Sequence, residues 1–196
     1  MLQRANRTLM WVTRFEPRER IIDVRLARRM SGIRIRPHAL DCVCPLIARG
    51  ARTDNAAFAT AAGRTDWLQA WLDGKSTTAA RSAPAFFRLS PVPAVAADQA
   101  LVFAGMCGQI KAARLQLGRG VSANRNPPGS HWTATAVRTA AVQGQASVVA
   151  LLLQRAADPT LRDFRYQSTP IGWLQGARCP RQRLTREVAA LLEGRR

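Results

Sequence analysis

"TAVRTAAVQGQASVVALLLQRAADPTLRDFRYQSTPIGW", residues 135–173, holds two helical runs of different character, a chain stop and a fresh start. Before Gly144 the residues are small, from Thr135 and Ala136 through Ala140 and Ala141. After it Val148, Val149, Leu151, Leu152 and Leu153 fall at i, i+3, i+4 spacing, the mark of a helix with one buried face. Ala156-Ala157-Asp158-Pro159 then supplies turn and helix-stopping chemistry. At Thr169 and Pro170 the chain starts again: a threonine hydroxyl can cap free backbone N–H groups, and proline fits a first helical turn.

The same pattern stands twice upstream. Thirty-six residues before Gly144 lies Gly108, and 45 before that lies Gly63; Ala59, Ala104 and Ala140 each stand four residues ahead of their glycine. Behind Gly63, the residues Trp67, Leu68, Trp71 and Leu72 match Val148, Val149, Leu152 and Leu153. Behind Gly108, the residues Ala112, Ala113, Leu115 and Leu117 are expected in the helical frame, with Gly120 closing the segment. Each segment therefore predicts two short helices joined at a glycine. One such pair cannot bury its stripe alone, whereas stacked copies build a continuous core.

Residues 135–173 resemble the ankyrin repeat, whose units begin T-P-L-H-x-A-A, pass through a glycine and end in L-L-x-x-G-A-D. Thr135 and Thr169 are 34 residues apart, against the family's 33. The resemblance implies an all-α fold, an ankyrin-type α-solenoid of helix-turn-helix units with short hairpin loops. It is specific over about 100–175 and weaker over 55–75. The units run roughly 39–54 (partial, on "CVCPLIARGARTD"), 55–99, 100–134, 135–168 and a capping 169–196, preceded by a basic segment, 1–38. On this reading Asp163 stands on the hairpin entering the last unit. Several positions depart from the family pattern. Arg138 and Gly172 replace the histidine that usually ties units together, and Arg178 takes an inter-helix glycine position. Ala156 replaces the glycine after the second helix, so a left-handed alanine is expected there, at about 1 kcal/mol relative to glycine. Segment 75–99 is read as a long, proline-bearing loop in place of a hairpin. A marginally stable array is the expectation.

Ankyrin-like arrays bind other proteins through hairpin tips and first helices, and the resemblance implies a non-catalytic protein–protein interaction module. The enlarged tip "NRNPPGSHW" carries Asn124, Asn126, His131 and Trp132; the last hairpin carries Arg162, Phe164 and Tyr166. Trp132 either contributes a rigid contact patch or folds back over the hairpin stem. Trp67 and Trp71 are read as core; Trp173 is either core or part of the concave surface.

Composition narrows the alternatives. A chain of 196 residues with 47% apolar content can form one domain or a short array, and no apolar run is long enough to span a membrane. With no secretory leader pattern at residues 1–20, a soluble cytoplasmic protein is expected. Net charge is +18, from 28 arginines and the two lysines Lys75 and Lys111 against 12 carboxylates. Ten arginines against Glu16, Glu19 and Asp23 give residues 1–38 a net +7, the basis of an alternative reading as a nucleic-acid or polyanion binder. Cys42, Cys44, Cys107 and Cys179 with His38 and His131 lack zinc-site spacing, so no metal or cofactor is expected. No phosphate-binding glycine loop or paired nucleophile and base is evident, and the chain is not read as an enzyme.

Overall fold

The structure, a computed structural model, describes residues 55–76, 89–128, 134–164, 167–176 and 182–194. The basic segment 1–38, the partial unit 39–54, and His131, Trp132, Tyr166 and Arg178 lie outside the described residues. Among the described residues the regular structure is entirely helical: α1 (Ala56–Ala61), α2 (Thr65–Leu72), α3 (Pro93–Cys107), α4 (Ile110–Gly118), α5 (Ala136–Val142), α6 (Ala146–Gln154), α7 (Pro170–Gly176) and α8 (Gln182–Leu192). No helix among them is long and apolar enough to cross a membrane.

Most of these helices are too short to persist alone in water, so packing must hold them. They form two rows. In one row α1, α3, α5 and α7 touch in chain order; in the other α2, α4, α6 and α8 do the same, and each first helix packs on the second helix of its own pair. Small residues set the spacing of the first row. Ala59, Ala100, Ala104, Ala140 and Ala141 are fully buried. At Gly105 the α3 and α5 backbones approach so closely that a Cβ would stand 2.5 Å from the Ala136 carbonyl oxygen. The Thr139 hydroxyl spans the same seam, 3.2 Å from the Val102 carbonyl. The larger apolar residues of the second row, Leu68, Val148, Val149, Leu152 and Val188, fill the space between the rows.

The turn within each pair is repeated to the residue. Gly63, Gly108 and Gly144 have φ of 70°, 69° and 71°, left-handed values that cost any side-chain-bearing L-residue energy. In each, the amide one residue later donates back across the turn: Arg64 to the Ala59 carbonyl, Gln109 to Ala104, and Gln145 to Ala140, at 2.9–3.0 Å. The second helices close in the same way. Gly74, Gly120 and Ala156 are left-handed, and the following amides of Lys75, Val121 and Ala157 donate to the carbonyls of Ala70, Gln116 and Leu152. This six-to-one hydrogen bond is the Schellman motif, which satisfies carbonyls that a helix end leaves open. Ala156 holds φ 58° without a glycine's freedom, the conformation expected from the sequence.

Caps fix the helix starts. The Asn55 side chain accepts from the Phe58 amide at 2.8 Å, Thr135 from Arg138, and Thr169 from Gly172 at 3.2 Å, with Pro170 opening α7. Two expectations need correcting. Residues 93–99 are not loop: Pro93 opens α3, and its fixed φ with no lost donor suits a helix's first position, so the helix begins well before the predicted unit boundary. In α4 Ala112 and Ala113 are fully buried as expected, but the next buried position is Gln116 rather than Leu115 or Leu117, which are half-buried. Gln116 stands eight residues after its glycine, as Trp71 and Leu152 do after theirs, so the buried stripe passes through an amide. Its Nε2 donates to the Ala112 carbonyl, while Oε1 has no hydrogen-bond partner.

Two stability changes are expected in denaturant titrations. Gln116→Leu removes an unsatisfied buried oxygen and should stabilise the fold by about 1–2 kcal/mol. Ala156→Gly relieves left-handed strain and should add up to about 1 kcal/mol. By contrast, Gly108→Ala should destabilise strongly, since its Cβ would stand 2.4 Å from the Gln145 Oε1 as well as straining φ.

Candidate interaction face

The first of the expected contact segments begins where α4 ends. Its Asn124 is exposed, yet its amide is committed to the next unit: Nδ2 donates to the Ala156 carbonyl at 2.9 Å, and Oδ1 accepts from the Asp158 amide at 2.7 Å. Asn124 thus ties two successive connections together. Asn126 is half-buried, and its Oδ1 has no hydrogen-bond partner. The segment is anchored from below by Gln99, only 1% exposed, which donates to the Pro128 carbonyl at 2.6 Å and accepts from the Ser90 amide at 2.9 Å.

The second segment is built around Asp163. Its side chain is 2% exposed, and Oδ2 accepts from the Ser168 amide at 3.2 Å and from the Trp173 indole N–H at 2.7 Å. Trp173 is half-buried, and the guanidinium carbon of Arg138 lies 4.3 Å from the centre of its ring. Arg138, itself buried, meets the following helix pair through this cation–π contact. The loop closes on itself through the Asp163 amide to the Ser168 carbonyl and the Gln167 amide to the Asp163 carbonyl, both 3.1 Å. Arg162 Nη1 donates to the Gln167 carbonyl at 2.8 Å, and Gln167 Nε2 donates to the Phe164 carbonyl at 3.1 Å. Gln167 is left-handed, at φ 52°. The product of this bonding is an outward phenyl ring: Phe164 is 77% exposed and, with Val92 at 53%, is one of two large apolar side chains left exposed among the described residues.

The carboxylates here serve local structure. Asp158 accepts from the Thr160 hydroxyl and amide at 2.6 and 2.8 Å, and these bonds hold its carboxyl below the usual range. Asp73 pairs with Arg119 across the ends of α2 and α4, which lowers its carboxyl in the same way. A groove of about 780 Å³ opens nearby, between Trp71 and Leu72, Pro91 and Pro93, and Val121. At its rim, burial raises the Asp98 carboxyl, and the charge of Arg125 opposes that shift.

Periodicity located the two connections but missed the bonds that shape them. Gln109 and Gln145 are examples. Gln109 donates to the Ala61 carbonyl at 2.9 Å and lies over Gly63, while Gln145 lies over Gly108, each reaching back to the preceding turn. The signal was the repeated Gly-Gln pair, 36 residues apart. Trp67 and Trp71 stack nearly parallel, 6.4 Å between centres; Trp71 is buried and Trp67 half-buried, in line with a packing role. Comparison with models of known protein families finds no match, and comparison with curated proteins also finds none.

The buried carboxylate at the base of the last loop gives a direct prediction. Asp163→Ala leaves the Trp173 N–H and the Ser168 N–H without their acceptor, and should cost about 2–3 kcal/mol. Asp163→Asn keeps one acceptor oxygen and should recover part of that loss. Chemical denaturation followed by tryptophan fluorescence reads both; equal loss in the two variants would show that acceptance by this side chain is not what matters.

Proposed function

We propose that the chain is an ankyrin-type array that binds another protein without catalysis, using hairpins 121–134 and 160–168 and the adjoining first helices. The observation that carries this reading is the last loop. Five hydrogen bonds, a buried carboxylate and a left-handed glutamine hold Phe164 out in solvent. A loop backbone held in place before binding loses little freedom on contact, and an exposed aromatic side chain on it offers the kind of anchor that dominates interface energetics. Support for the ankyrin type comes from the repeated left-handed turns, the two rows and the Thr169-Pro170 start. Asn124 serves in this reading as the tie that keeps the two hairpins in register, while Arg162, Phe164 and the tip residues His131, Trp132 and Tyr166 make the contact.

The alternative, polyanion binding through residues 1–38, rests on their net +7. Cross-linked capture from the protein's own cells separates the two. The module reading predicts a protein partner that survives nuclease treatment and is lost from a Trp132→Ala, Phe164→Ala, Tyr166→Ala chain whose melting temperature is unchanged. Capture that nuclease abolishes, with the triple variant behaving as the parent, would favour the alternative.

A further inference from the structure

The last loop carries a chemical preference as well as a shape. Residues 160–168 contain one carboxylate, Asp163, and it is turned inward, buried, with its oxygen engaged by Ser168 and Trp173. Arg162 is exposed and donates to a neutral carbonyl, that of Gln167, so no described carboxylate offsets its charge at the tip. Two residues on in the chain stands Phe164, 77% exposed. An exposed apolar ring and an exposed guanidinium bonded only to a neutral carbonyl, carried by one loop of a chain of net +18, are complementary to an apolar recess bordered by carboxylates. A phosphate backbone fits less well. Asp158 lies between Arg155 and Arg162 in the chain, so this connection carries no unbroken run of cations for a nucleic acid's evenly spaced charges to follow.

We propose that the partner of the last hairpin is an acidic protein segment that places a carboxylate on Arg162 and an apolar side chain against Phe164. This rests on the interaction-module reading and specifies it. Arg162 sets charge preference and Phe164 supplies the apolar anchor; Asp163 is a positioning residue, which holds the loop without touching the partner.

The test is selection of a random twelve-residue peptide library on the full chain, counter-selected on the full Phe164→Ala chain, so that peptides drawn by the arginines of residues 1–38 cancel. The expected survivors combine Asp or Glu with Leu, Phe or Trp. They should bind Phe164→Ala at least tenfold more weakly and lose affinity with rising salt, a loss blunted in Arg162→Gln. The melting temperature of Phe164→Ala should match the parent, since its ring is exposed, while Arg162→Gln gives up its bond to the Gln167 carbonyl and should melt slightly lower. Survivors that are neutral or basic, equal binding to the parent and Phe164→Ala chains, or an empty selection each overturn the proposal. A labelled single-stranded RNA run alongside provides a further check: if Phe164→Ala weakens it and spares the peptides, the loop reads nucleic acid instead. The cellular capture described above remains separate. A partner lost on Phe164→Ala but lacking an acidic segment would sink this proposal and leave the module reading standing.

Discussion

A chain reversal at φ near +70° governs this molecule. Gly63, Gly108 and Gly144 each end a first helix and, through the amide that follows, send the chain back along a second helix. Because the reversal is the same each time, the second helices leave in the same direction and fall into a row of their own. A side chain at these positions would be strained by φ, and at Gly108 it would also displace Gln145, which reaches back from the next unit. One backbone conformation therefore sets both the turn and the distance to the neighbour. Alanines of the first helices then let those helices close up, and the larger residues behind them fill the gap between the rows.

With the rows fixed, the connections become a second layer of order built from polar groups. Asn124 bonds forward to Ala156 and Asp158, Gln99 holds Ser90 and Pro128, and Asp163 holds Ser168 and Trp173. These bonds reach from one unit to another or from a helix to a loop above it. They explain how short connections, with little apolar surface of their own, keep a defined shape. In the last connection the shape leaves a phenyl ring in water.

What could be read from the sequence was whatever repeats. The glycine register, the threonine cap at 169, the proline of α7 and the left-handed Ala156 all follow from period and residue type, and the structure has them. Individual exceptions to the period were harder. Gln116 sits where the stripe calls for an apolar residue, and a pattern of hydrophobicity passes over a buried amide in favour of its neighbours Leu115 and Leu117. Pro93, among other prolines, read as loop chemistry although proline equally opens a helix, and two extra turns of α3 were missed. Pairings such as Arg138 on Trp173, or Asn124 on Ala156, join residues more than thirty positions apart through side-chain geometry that periodicity does not encode. Arg138 illustrates the limit well: nothing in its position 35 residues before Trp173 signals that the two lie against each other.

Residue-resolved amide hydrogen exchange tests the shared turn most directly. The amides of Arg64, Gln109 and Gln145, and those of Lys75, Val121 and Ala157, all lie beyond the ends of their helices, where a plain turn would leave them open to water. Here each donates to a carbonyl five residues back. All six should exchange far more slowly than the same residues in an unfolded chain, with the inter-helix trio protected to the level of the helices it joins. Exchange of that trio at unfolded-chain rates, with the helix interiors still protected, would contradict the account.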